Sequence, residues 1–120
     1  MHNQLRQQGS TAAVRMAAAL ALLAVFIVAG NAAEGDALKE RGRVLVSRMC
    51  AECHAIGMTG ESPHLAAPAF RRLDSRLDLQ DLVGRMRRGL MSGHQDMPMF
   101  RFTRDEAQAV VAYLKSIQAP

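Results

Sequence analysis

The sequence predicts a small all-α domain of three main helices joined by long loops. Three observations carry this. Apolar residues recur at helical spacing in three separate segments. Glycine and proline collect between those segments, with no strand-like alternation, hairpin signal or internal repeat. The only two cysteines lie in one five-residue motif, Cys50-Ala51-Glu52-Cys53-His54, directly after the first segment. A chain of 120 residues allows one such domain and not two.

The N-terminus has the pattern of a secretory leader. Arg6 and Arg15 form a positive region, Met16–Val28 is an uninterrupted apolar run of 13, and the small residues Ala29, Gly30, Ala32 and Ala33 follow, ending at Glu34. Cleavage after Ala32 or Ala33 leaves small residues at both recognition positions. Residues 1–33 are therefore read as a signal peptide that exports the chain to the periplasm, and 34–120 as the domain. The competing reading is an uncleaved membrane anchor, because Met16–Ala33 is 18 uncharged residues, close to the shortest membrane span. Gly30 and Asn31 weaken it, and membrane association is expected only if the leader stays attached.

The first helical segment places Leu38, Gly42, Leu45, Val46 and Met49 on one stripe leading into Cys50. Asp36 is the expected N-cap. Gly42 sits mid-helix, where glycine costs about 1 kcal/mol against alanine; it reads either as a close approach by another backbone or as incidental.

The C-x-x-C-H motif that follows reads as a covalent haem attachment site. Cysteines three apart on a helical turn share one face, so both sulfurs reach one porphyrin edge. The adjacent His54 can then bind the iron. A thioredoxin-like redox pair would need a βαβ context that is missing here. A closed zinc site would need four ligands, and only His64 and His94 could add nitrogen to Cys50, Cys53 and His54. Export agrees with haem attachment, since free thiols do not persist in an oxidising compartment.

Residues 55–77 read as loop, with Gly57, Gly60, Pro63 and Pro68. His54 needs a carbonyl for its second ring nitrogen, and Pro63 and Pro68 are both within reach. A second helix opens at Asp78, carries Leu79, Leu82, Val83 and Met86 at i, i+3, i+4, i+7, and stops at Gly89. Arg85, Arg87 and Arg88 at its end complement the helix dipole; steering of an acidic partner is the secondary reading.

The loop 89–102 holds the sixth-ligand candidates. His/Met ligation raises a haem potential and suits electron transfer, whereas an open position suits catalysis or sensing. Met97 is the expected ligand, since Pro98 keeps its backbone extended. Met99 and His94 are the alternatives. Met49 and Met86 are expected in the core, Met58 and Met91 have no assigned role, and His64 and His94 are read as surface residues. The third helix opens with Thr103-Arg104-Asp105-Glu106, a capping box, and continues through Ala107, Val110, Val111, Leu114 and Ile117.

Of 15 Lys and Arg, two lie in residues 1–33, and all 11 acidic residues lie after them, so the mature part carries only +2. This excess is too small to support nucleic-acid binding. The 87 residues that remain hold no Trp and only four other aromatics. A core of that size is marginal, and haem is expected to complete it. The chain without haem should be poorly folded.

With these residues in place, the chain resembles the class I cytochrome c family, in particular its small bacterial periplasmic members with one haem. The resemblance spans Asp36 to Gln118 and rests on Cys50-Ala51-Glu52-Cys53-His54 and Met97-Pro98-Met99-Phe100. It implies a cytochrome c-like fold whose loops wrap one covalently bound haem c, with His54 and Met97 on the iron. It implies an electron carrier and not an enzyme, working between redox partner proteins. A haem subunit of a dehydrogenase or oxidase complex, or a sensor or enzyme with a labile sixth ligand, are the alternatives. The family glycine eight residues before the first cysteine corresponds to Gly42, which contacts the C-terminal helix near the aromatic position of Tyr113. The family proline that accepts from the axial histidine corresponds to Pro68. Val46 stands where the family usually has an aromatic, which predicts a looser helix pair. No tryptophan is present to bind a propionate, and Arg71 or Arg72 is the expected substitute.

Overall fold

The computed structural model describes residues 15–16, 30–90 and 96–119. Most of the apolar run read as part of a leader, together with Met91 and His94, lies outside the described residues. Among the described residues no helix is long and apolar enough to cross a membrane. The chain divides into two compact units, Met1–Gly35 and Asp36–Pro120. In the first, residues 30–35 are helical.

Among the described residues the second unit holds three α-helices: α1 over residues 36–49, α2 over Leu79–Arg88 and α3 over Arg104–Ser116. A short 3-10 turn covers Phe70–Arg72. Asp36 is not the N-cap expected of it. The backbone is already helical before it, where Ala32 and Ala33 favour helix, and its carboxylate instead takes the Lys39 ammonium at 3.0 Å.

The other two helix starts are as the sequence predicts. The Asp78 carboxylate accepts from the Gln80 amide at 2.7 Å and caps α2. At α3 the capping box is complete: Thr103 Oγ1 accepts from the Glu106 amide, and the Glu106 carboxylate accepts from the Thr103 amide at 2.9 Å. Helix α2 ends at Gly89, whose φ of 109° suits only glycine.

The core follows the predicted stripes. Val46 of α1, Leu82 and Met86 of α2, and Val110, Val111 and Leu114 of α3 are all buried in one cluster. Leu38 departs from its stripe and is exposed. Helices α1 and α3 meet at Gly42, where an added Cβ would run into the Ala109 carbonyl and come within 2.9 Å of the Tyr113 Cβ. Gly42 removes the side chain that would hold the backbones apart, and Val46, 1% exposed, fills the space beside the crossing. Tyr113 continues the seam, its hydroxyl donating to the Ile56 carbonyl at 2.9 Å.

Candidate haem site

Helix α1 delivers the motif. The Cys50 amide donates to the Val46 carbonyl, continuing the helical pattern past residue 49. The Cys53 and His54 amides both return to the Cys50 carbonyl, at 3.2 and 2.9 Å. This single turn brings Cys50, Cys53 and His54 to the wall of one cavity of about 650 Å³. The two cysteines are not joined to each other in a disulfide. Burial, with Cys53 adding a smaller contribution, pushes the Cys50 thiol up to about 11, so it is protonated at neutral pH.

The histidine is oriented by the loop that follows. His54 Nδ1 donates to the Pro68 carbonyl at 2.8 Å. Since a carbonyl only accepts, the proton sits on Nδ1 and Nε2 keeps its lone pair for a metal. Pro68, not Pro63, supplies the acceptor. The Phe70 ring packs against the imidazole, centroids 4.5 Å apart, and the Phe70 amide donates to the Ala55 carbonyl at 2.9 Å. Two further bonds fold the loop back on the motif: Ala55 amide to Ser62 Oγ, and His64 amide to the Cys53 carbonyl.

Met97 lines the same cavity, together with Pro98 and Phe100. The segment that carries it is pinched at its base by an antiparallel bridge between Leu90 and Phe100, closed by the Leu90 amide on the Phe100 carbonyl at 2.9 Å. Nothing in the sequence signalled this isolated bridge. Met99 does not line the cavity and is 65% exposed. Its sulfur lies over Gly89, 3.2 Å from where a Cβ would stand. The apolar floor comes from α2 and α3 through Leu82, Met86, Val110 and Leu114. Met49 and Met86, expected in the core, serve as both core and cavity wall.

Two expectations need revision. Arg71 and Arg72 do not line the cavity. The Arg71 guanidinium is held by the Gly60 carbonyl at 2.7 Å and by Glu61, because the 3-10 turn aims it along the loop. The arginines that do line the cavity are Arg48, Arg76 and Arg85. Sequence reading assigned Arg85 to the helix dipole and gave the other two no role. His64 is likewise more than a surface residue: it lines the cavity, with its Nε2 3.6 Å from the Asp96 carboxylate.

The volume is in the range of a cofactor site, ~300–1,000 Å³. Its wall is apolar apart from the Cys50 and Cys53 sulfurs, the His54 and His64 imidazoles, the Met49, Met86 and Met97 thioethers and the charged groups among its lining residues. That donor set fits a haem: two sulfurs for the vinyl groups, soft and imidazole donors for iron, and a dry surface for the porphyrin.

Comparison with known families agrees. The cytochrome c family model matches residues 39–118, and the chain belongs to that family. Its cofactor is one covalently attached haem c, and its function is haem-based electron transfer. No curated protein and no solved structure matches the chain.

Proposed function

We propose that the protein carries single electrons between periplasmic redox partners, with His54 and Met97 as the axial ligands and Cys50 and Cys53 as the thioether anchors. The observation that supports this reading is the convergence of all four side chains on one cavity, while Met99 lies outside it. The haem iron supplies the one-electron couple. The chain's residues do the rest. His54, its proton committed to Pro68, presents Nε2. Met97 offers a neutral sulfur from a segment pinched at its base, so the ligand set can persist in both oxidation states with little rearrangement. The helical floor keeps water out. Arg48, Arg76 and Arg85 are the cations at the cavity available to the propionates. Residues 1–33 act as the export leader.

Carbon monoxide binding to the reduced protein tests the ligation. Slow or absent binding is expected, since Met97 must be displaced first. Rapid, stoichiometric binding would select the sensor or enzyme reading. Stable co-purification with a larger dehydrogenase or oxidase would select the subunit reading. Intact mass of the exported protein tests the leader, with a new N-terminus expected at Ala33 or Glu34.

A further inference from the structure

We infer that Gln118, far from the haem motif in sequence, is a positioning residue for the axial histidine. It acts by clamping the turn that carries the histidine's hydrogen-bond acceptor. The inference rests on the reading of His54 as an iron ligand.

Gln118 lies just past the end of α3. Its side-chain amide is fully engaged. Nε2 donates to the Phe70 carbonyl at 2.9 Å and to the Leu114 carbonyl, and Oε1 accepts from the Asp74 amide at 3.0 Å. The two carbonyls demand the NH₂ end and the backbone amide demands the oxygen, so only one orientation of the amide satisfies all three. The next residue adds a fourth bond, the Ala119 amide donating to the Arg71 carbonyl at 2.8 Å. Phe70, Arg71 and Asp74 are thus all tied to the end of the chain.

The same turn orients His54. Pro68 accepts its Nδ1 proton, Phe70 packs on its ring, and the Phe70 amide holds the residue after it. These contacts come from the three-residue stretch 68–70, which runs into the 3-10 turn. Among the described residues no α-helix or strand ladder includes that stretch. Its fixed position needs an external brace, and Gln118 with Ala119 supplies one. An outer hydrogen bond of this kind sets the orientation and basicity of a ligating imidazole. A slackened turn weakens the Nδ1–H···O bond and makes the imidazole a poorer donor. A poorer donor favours the reduced iron, so the potential rises.

The test uses the exported holoprotein with Gln118→Met, which keeps the length and removes every hydrogen bond, and Gln118→Glu, which keeps the acceptor and loses both donors. Asp78→Ala, which uncaps α2 away from the turn, serves as the stability control. Two quantities are read well below the unfolding temperature: the reduction potential, and the exchange rate of the His54 Nδ1 proton by NMR of the reduced form. Gln118→Met is expected to raise the potential and to speed exchange about tenfold, the factor that loss of a net hydrogen bond or two allows. Gln118→Glu moves both in the same direction and provides the answer if Gln118→Met does not accumulate. Asp78→Ala lowers the unfolding temperature and leaves both unchanged. Gln118 variants that lose stability with unchanged potential and exchange overturn the proposal. The wild-type spectrum separates the two levels: a His54 ring without the signals of an iron-bound imidazole overturns the ligand assignment and the clamp together.

Discussion

Gly42 of α1 lies directly against the Ala109 carbonyl of α3, so the two backbones touch where any side chain would part them. This contact inverts an ordinary rule. In an open helix, glycine to alanine is stabilising by about 1 kcal/mol. Here the added methyl meets backbone, which cannot rotate away. Gly42→Ala is expected to destabilise the holoprotein by roughly 2–3 kcal/mol, the range of an overpacked core. Denaturant unfolding of the ferric protein measures it, and an unchanged or raised midpoint would refute the close crossing as a determinant of stability.

Met97 and Met99 are two residues apart and the structure separates them: one lines the cavity, the other lies over Gly89. Met97→Leu is expected to lower the reduction potential by roughly 0.2 V, a fraction of the ~0.8 V that axial ligation spans. The haem remains attached through the cysteines. Met99→Leu should leave the potential nearly unchanged. Voltammetry of both variants decides the assignment, and the reverse pattern would transfer the ligand role to Met99.

The parts of this domain readable from sequence are those set by local chemistry. Cap residues Asp78 and Thr103, the stop at Gly89 and the buried stripe of α3 depend on neighbours within one or two turns, and periodicity exposes them. The covalent motif is similarly local. What escaped depends on contacts between distant segments. The Leu90–Phe100 bridge is a single pair without a strand pattern. The guanidinium of Arg71 is claimed by Gly60 and Glu61 across a loop, leaving Arg48 and Arg76, 28 positions apart in the numbering, to face the cavity. Gln118 looks like any polar residue after a helix until Phe70 and Asp74 are seen beside it.

The α3 capping box has a pH signature. Hydrogen bonds from Thr103, backbone first and hydroxyl second, hold the Glu106 carboxyl below the ordinary value of 4.5. A depressed folded-state pKa means that the ionised form stabilises the fold. That contribution is fully present above the unfolded value and is lost as pH falls through the folded one. Glu106→Gln is therefore expected to be less stable than wild type at neutral pH, with the gap closing below about pH 4, under the unfolded carboxylate value. Parallel thermal melts across pH 3–7 measure the gap; a difference independent of pH would show that the carboxylate charge is not what the cap uses.

The cavity itself predicts the behaviour of the chain without its cofactor. Without a group to fill it, the space of about 650 Å³ leaves its apolar walls without packing partners. Its mouth admits water, so those walls are hydrated rather than buried, in a domain whose stability margin is small. The Phe70, Leu82, Met86 and Leu114 walls would then be wetted, and the faces of α2 and α3 would lose their partner together. The double variant Cys50→Ala, Cys53→Ala, which cannot form thioethers, should retain some helix by far-ultraviolet circular dichroism while showing a broad, non-cooperative thermal transition. A sharp melt, with coincident transitions from two probes, would show that the protein core is self-sufficient and that the haem merely occupies a preformed hole.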